Sequence, residues 1–116
     1  MERKITFRVH ALRRMFERGI AVSDVALVVR VAGDAGENLS LEEEARARKA
    51  VRCWPQVVED YPDDKPYPSR LLLGWREGRP LHVVVAENAP GNEWIVITVY
   101  EPDPARWEAD FTRRKP

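Results

Sequence analysis

SRLLLGWREGRPLHVVVAENAPGNEWIVITVYEP, residues 69–102, is the stretch that decides the fold of this chain. It contains three apolar runs rich in Val, Ile, Leu and Trp, separated by turn signals at Glu77-Gly78 and at 88–92. Runs of strand length divided by glycine, proline and asparagine are typical of an antiparallel meander, in which two hairpins share a central strand. The sequence therefore predicts three consecutive antiparallel strands here.

Alternation along these strands assigns their side chains to two faces. We expect nine apolar residues to share one face, under helices: Leu71, Leu73, Trp75, Leu81, Val83, Val85, Ile95, Ile97 and Val99. The opposite face then carries Arg70, Leu72, His82, Val84, Val96, Thr98 and Tyr100.

The assignment depends on register, because a shift of one residue moves a strand's side chains to the other face. It requires a three-residue loop at 76–78, with Gly78 in a bulge, and it places His82 opposite Thr98. Burial of His82 in the interior beside Leu73 and Ile97 would contradict it.

Helical periodicity predicts two helices before the sheet and a third, charged helix between them and the sheet. The first helix runs over 10–18 and ends at Gly19, and the second runs over 24–32 after a Ser23 cap. A capping box at Ser40 predicts the third helix over 41–53. The segment 33–54 is thus an extra loop and helix.

Two further elements complete the predicted fold. Residues 56–61 add a fourth strand, and Asp103-Pro104 begins a short C-terminal helix whose Trp107 and Phe111 dock on the domain. Residues 5–9 are either a short strand or an extended lead-in. The predicted fold is α+β, with N-terminal helices packed on a four-stranded antiparallel β-meander and a short C-terminal helix, all in a single domain spanning 1–116.

Composition narrows the function classes. No apolar run approaches the ~20 residues of a membrane helix, and a lone cysteine, Cys53, fits a reducing cytoplasm. The formal net charge of zero argues against nucleic-acid binding that depends only on the overall electrostatic attraction of a basic protein for phosphates. One Cys and two His lack metal-ligand spacing, and no glycine-rich phosphate loop is present. We predict a cytoplasmic protein with no membrane partner, metal or cofactor.

The two histidines are the strongest candidates for chemistry. His10 shares a helical face with Arg14. The alternative to a role in chemistry is that His10 makes only a cap or surface contact. His82 lies in the central strand, and its bland interpretation is a half-buried structural histidine bonded to Thr98 or Tyr100.

Together the histidines favour a cleft between the first helix and the sheet. RNA cleavage without a metal needs a base for the 2′-hydroxyl proton, a cation beside the phosphate and an acid for the leaving 5′-oxygen. The predicted catalytic residues are His82, His10 and Tyr100, and the predicted phosphate-binding and orienting residues are Arg14, Arg70 and Thr98.

Four stretches resemble a known bacterial family, domain of unknown function 4258. They are HALRRMFERGI (10–20), YPDDKPYPSRLLLGW (61–75), GRPLHVVVA (78–86) and ITVYEPDPARWEADFTRR (97–114). The resemblance covers nearly the whole chain except about 33–54, where this chain departs from the family pattern.

The resemblance implies kinship with RelE-like toxins, barnase and colicin-type RNases, which are metal-independent nucleases built from N-terminal helices on an antiparallel sheet. It also implies a genetic neighbour of the small antitoxin type. The positions that match the family motifs are His10, Arg14, His82, Thr98 and Tyr100.

We therefore expect a toxin-like, metal-independent endoribonuclease of a toxin–antitoxin module, with RNA and a small antitoxin-like protein as partners. The alternative is a non-catalytic fold relative that acts as a protein-binding module, favoured by zero net charge and the extra helix. A homodimer with an architectural role is a third interpretation.

Overall fold

The computed structural model describes residues 3–33, Glu42 and residues 55–116. In these ranges the chain forms β1 (Lys4–Phe7), α1 (Val9–Arg18), α2 (Val22–Val28), β2 (Gln56–Tyr61), β3 (Ser69–Arg76), β4 (Arg79–Asn88) and β5 (Glu93–Tyr100). A π-helical turn, Val29–Gly33, continues α2. The α+β class is confirmed, whereas the predicted loop and helix at 33–54 fall outside the described residues except for Gly33 and Glu42.

The five strands form one mixed sheet in the order β1-β5-β4-β3-β2. The predicted meander and the strand at 56–61 are confirmed. The prediction of four antiparallel strands is wrong, because β1 adds a fifth strand that runs parallel to β5. The β1 side chains Ile5 and Phe7 pack against the hydrophobic core, which explains why this edge is occupied.

The register differs from the predicted one at both turns. Arg76 pairs directly with Arg79, so the first turn has two residues, Glu77 and Gly78, both with positive φ (51° and 78°). Positive φ at both central positions defines a type I′ turn, whose twist matches that of the flanking strands. In β5 the register shifts by one between the partners of Val84 and Val85, so Ile97 is an extra, bulged residue.

These shifts redistribute the side chains between the two faces. The helix face packs against α1 and α2 and carries Leu72, Leu81, Val83, Val85, Trp94, Val96 and Val99. The other face, which we call the C-terminal face because residues 101–116 lie on it, carries Leu71, Leu73, Trp75, His82, Val84, Ala86, Ile95, Thr98 and Tyr100. The predicted grouping of nine apolar residues on one face is therefore wrong.

Both helices lie against the helix face. Ala11 and Met15 are the buried residues of α1, which ends where Gly19 adopts φ 66°. α2 approaches β3 so closely that a Cβ at Gly74 would lie 2.1 Å from a methyl carbon of Val28. Neither helix is long and apolar enough to cross a membrane, and the same is true of every helix in the described ranges.

The predicted C-terminal helix is replaced by a turn and a tight reversal. The N–H groups of Arg106 and Trp107 donate to the Asp103 carbonyl, which makes a single turn. The chain then folds back, so that Trp107 and Arg114 form a β-bridge. Helix formation would carry Arg114 away from Trp107, whereas the reversal holds the two together. The expected docking of Trp107 and Phe111 is confirmed, since their rings contact His82 and Trp75 respectively.

Candidate functional site

The sheet divides the predicted site residues into two groups. His10 and Arg14 are exposed on α1, which covers the helix face. Arg70 also projects to the helix face, 5.9 Å from the Trp94 ring and 3.6 Å from the Asp60 carboxylate. His82 projects to the opposite face, so the predicted cleft containing both histidines is not formed.

Three predicted residues do share the C-terminal face: His82, Thr98 and Tyr100. His82 pairs across the sheet with Tyr100 on one side and with Leu73 on the other. The predicted pairing of His82 with Thr98 is wrong by two residues: the second turn, which pairs Asn88 with Glu93, shifts the register by one, and the bulged Ile97 shifts it by one more. Thr98 instead lies opposite Val84 and is half-buried.

His82 is fully buried, at 0% exposure, on the central strand. Its Nε2 lies 2.9 Å from the Phe111 carbonyl oxygen and its Nδ1 lies 3.3 Å from the Tyr100 hydroxyl. The Trp107 ring covers it edge-on at 4.5 Å between centroids. The C-terminal segment therefore encloses His82, which agrees with a structural histidine bonded to Tyr100. The ring is fully and not half buried, and its burial beside Leu73 contradicts the predicted outward-facing position.

The partners of His82 fix its tautomer. A carbonyl oxygen can only accept, so Nε2 carries the proton and donates to Phe111, and Nδ1 accepts from the Tyr100 hydroxyl. Burial lowers the pKa of His82 below its ordinary value of 6.5, which keeps the ring neutral at pH 7. Burial likewise raises the pKa of Tyr100, so its hydroxyl remains a donor.

Tyr100 connects this buried histidine to the surface. It is half-buried and lines a pocket of about 260 Å³ together with Arg106, Trp107 and Arg114. A phenol and two guanidinium groups are suited to binding an anion such as a phosphate diester. The pocket was not predicted, because Arg106 and Arg114 meet Tyr100 only through the C-terminal reversal.

Two carboxylates also line the pocket, and both are engaged elsewhere. Glu101 accepts from Arg79 at 2.8 Å, and Asp103 Oδ1 accepts from the Ala105 N–H at 2.9 Å. Arg79 offsets the negative charge of Glu101, whereas the Ala105 N–H is a neutral donor and leaves the charge of Asp103 in place.

A second polar cluster borders the pocket on the β2 side. Arg114 donates through Nε and Nη2 to the two Glu59 carboxylate oxygens, at 3.3 and 3.1 Å, and Tyr61 also donates to Glu59. These hydrogen bonds, that of Arg114 foremost, lower the pKa of Glu59. The Arg114 guanidinium also lies 4.8 Å above the Trp107 ring. Alternation of Glu59 and Tyr61 in a strand was the only sequence signal for this cluster.

No three His, Cys, Asp or Glu side chains are grouped to hold a metal ion in the part of the chain that the structure describes. The chain belongs to the family described as a domain of unknown function (DUF4258), whose family model matches residues 7–101. No curated protein and no solved structure matches the chain.

Proposed function

We propose that this DUF4258 member is a toxin-like endoribonuclease that cleaves RNA without a metal ion, and that cleavage takes place at Tyr100 on the C-terminal face. One observation carries the proposal: a phenol bonded to a buried, neutral imidazole opens into a pocket lined by two arginines. That set offers proton transfer and phosphate binding at one place. The resemblance to toxin-type RNases adds support from the sequence.

The roles differ from those predicted from the sequence. Arg106, together with the Nη1 group of Arg114 that its hydrogen bonds to Glu59 do not use, binds the scissile phosphate and stabilises the charge that develops on it. Tyr100 accepts the 2′-hydroxyl proton while passing its own proton to Nδ1 of His82, and the 2′-oxygen attacks phosphorus. The proton then returns through Tyr100 to the leaving 5′-oxygen as its bond to phosphorus breaks, so the pair ends as it began.

His82 acts in this scheme as a positioning and relay residue, because neither of its nitrogens reaches solvent. Thr98 lies two residues from Tyr100 on the same face and orients the ribose. His10, Arg14 and Arg70 have no part in the reaction, since they lie on the other side of the sheet.

The test is cleavage of a defined RNA by the purified chain in the presence of EDTA. We expect Tyr100→Phe to reduce the rate by about 10²-fold or more, as removal of a proton-transferring group does. Arg106→Ala is expected to raise KM for RNA. Arg113→Ala is the matched control, because Arg113 is exposed, adjacent in sequence to Arg114 and outside the pocket lining.

A substrate with a single 2′-deoxy substitution at the cleaved position should resist cleavage, since the attacking group is removed. The proposal fails if the folded chain cleaves no RNA, or if Tyr100→Phe cleaves as fast as the unmodified chain.

A non-catalytic protein-binding module is the second candidate, and the enclosure of His82 favours it. Both ring nitrogens are bonded internally, which a purely structural histidine also requires. Under this interpretation Tyr100→Phe lowers the free energy of unfolding slightly, and no variant affects an RNA cleavage signal because none exists.

A further inference from the structure

An apolar groove lies on the far side of the molecule from the Tyr100 pocket. It has a volume of about 550 Å³ and runs between α1 and the start of α2. Its floor is Met15 and Ile20, which are buried, and its walls include Phe16 and Val9, which are 87% and 71% exposed. Exposed apolar side chains that adjoin one another mark an interaction surface more often than singly scattered ones do.

The helix that forms one wall of the groove is strongly basic. Its exposed charged residues are Arg13, Arg14, Arg18 and Glu17, and Arg8 precedes the helix. Arg13 also lines the groove itself. None of these four arginines forms an ion pair with another residue of the described ranges. Within the described ranges, the groove therefore combines apolar walls with a positive rim that no ion pair neutralises.

The apolar walls and the positive rim together indicate which kind of molecule binds in the groove. A second copy of the chain would bring two basic rims into one symmetric interface, and an excess of like charge there is destabilising. A nucleic acid would need several aromatic rings for stacking, whereas Phe16 is accompanied by Val9, Leu12 and Val22. An apolar segment that carries acidic residues can pack against the apolar walls and also form ion pairs with the basic rim.

We infer that this groove binds an acidic amphipathic helix of a separate protein. α1 has ten residues and so is about 15 Å long. A partner helix of about three turns matches that length and presents apolar residues at i, i+3, i+4 and i+7 to Leu12, Phe16 and Val22. Its flanking Asp and Glu residues pair with Arg13 and its basic neighbours. The inference does not depend on whether the chain cleaves RNA.

Titration of the full chain with a synthetic peptide tests the inference. The probe is an amphipathic peptide of about 14 residues with Leu on one face and Glu on the other. The matched probe replaces every Glu by Lys. We expect NMR amide shifts to change along α1 and the start of α2 with the Glu peptide, and its affinity to exceed that of the Lys peptide by about tenfold or more.

Two variants locate the binding site. Phe16→Ser should weaken binding of the Glu peptide by about tenfold, because an apolar anchor is lost. Val57→Ser is the control, since Val57 is also exposed (43%) but lies on β2, away from the groove. Arg13→Glu should shift the preference toward the Lys peptide. Tyr100→Phe should bind the Glu peptide unchanged, which separates this inference from the proposed nuclease activity.

Several outcomes would overturn the inference. Equal affinity for the two peptides would remove the role of the basic rim. Shift changes outside α1 and α2, or full affinity in Phe16→Ser, would remove the groove. Self-association that Phe16→Ser abolishes would assign the groove to a second copy of the chain, and RNA binding that Phe16→Ser abolishes would assign it to a nucleic acid.

Discussion

At the scale of single residues, His82 shows what it takes to bury an imidazole. Each ring nitrogen needs a partner, and the chain supplies the Tyr100 hydroxyl and the Phe111 carbonyl. The sequence could predict the Tyr100 partner from strand spacing. It could not predict the Phe111 carbonyl, because that contact depends on a reversal whose residues have no strand or helix pattern.

The burial of His82 predicts a pH dependence of stability. The folded chain holds a pKa below 6.5, so below pH 6.5 the unfolded chain binds more protons and the free energy of unfolding falls as the pH decreases. The contribution is fully present above pH 6.5 and is lost at up to about 1.4 kcal/mol per pH unit below it, until the folded ring itself is protonated. The stabilisation that comes from Glu59, whose pKa is also lowered, is fully present above the ordinary value of 4.5 and is lost only as the pH falls below it, outside this window.

Urea unfolding at a series of pH values from 8 down to about 5 measures this effect. His82→Gln, which has no titrating ring, should flatten the profile in that window, and His10→Gln is the same substitution at an exposed control position. A profile that is unchanged in His82→Gln would show that another group is responsible.

At the scale of elements, a two-residue turn decides which side chains meet. The sequence predicts β2 to β5 within a few residues, and it predicts that α1 ends at Gly19. The predicted face assignment is wrong because the first turn has two residues and not three, and because the second turn places Val96, and not Ile95, opposite Val85. The structure buries both faces instead, so apolar alternation carried no information about which face the helices cover.

Opposite effects on stability are expected at the two turn residues. Glu77 and Gly78 both have positive φ, and nothing lies within 4 Å of a Cβ at Gly78. Gly78→Ala should therefore lower the free energy of unfolding by about 1 kcal/mol through backbone strain alone. Glu77→Asn should raise it by about 0.5 kcal/mol, because Asn-Gly is the preferred pair for a type I′ turn. Denaturant unfolding of the two variants checks both signs, and a stabilised Gly78→Ala chain would contradict the turn assignment.

Because α2 approaches β3 closely, substitutions at the contact between Gly74 and Val28 should change the stability of the chain. Gly74→Ala places a methyl group against Val28 and should cost about 1–3 kcal/mol or more through overpacking. Val28→Ala alone should also destabilise, by leaving a cavity. The double variant should be more stable than the sum of the two losses implies, since the new methyl group occupies the vacated space. Additive losses in a double-mutant cycle would show that the two residues do not touch.

At the scale of the whole molecule, the sheet is covered on both sides by different parts of the chain. α1 and α2 cover one face, and residues 101–116 cover the region around His82 on the other. β1 pairs in parallel with β5 and forms one edge of the sheet. The sequence does not predict where β1 and residues 101–116 pack, because each is fixed by contacts with residues far away in the sequence.

Trp107 joins the C-terminal segment, residues 101–116, to the buried His82, so a substitution at Trp107 should change both the stability of the chain and the environment of the histidine. Trp107 is buried between the His82 ring and the Arg114 guanidinium. Trp107→Ala should lower the free energy of unfolding by about 3 kcal/mol, as loss of a large core side chain does. It should also admit water to His82 and so raise its pKa toward 6.5, because burial is the main cause of the lowered value. NMR titration of the His82 ring measures that pKa in the folded variant.

Phe16→Ala is the control for Trp107→Ala, because Phe16 is a large but exposed aromatic residue remote from the C-terminal segment. A His82 pKa that stays low in folded Trp107→Ala would mean that the sheet itself, and not the C-terminal segment, shields the histidine ring from water.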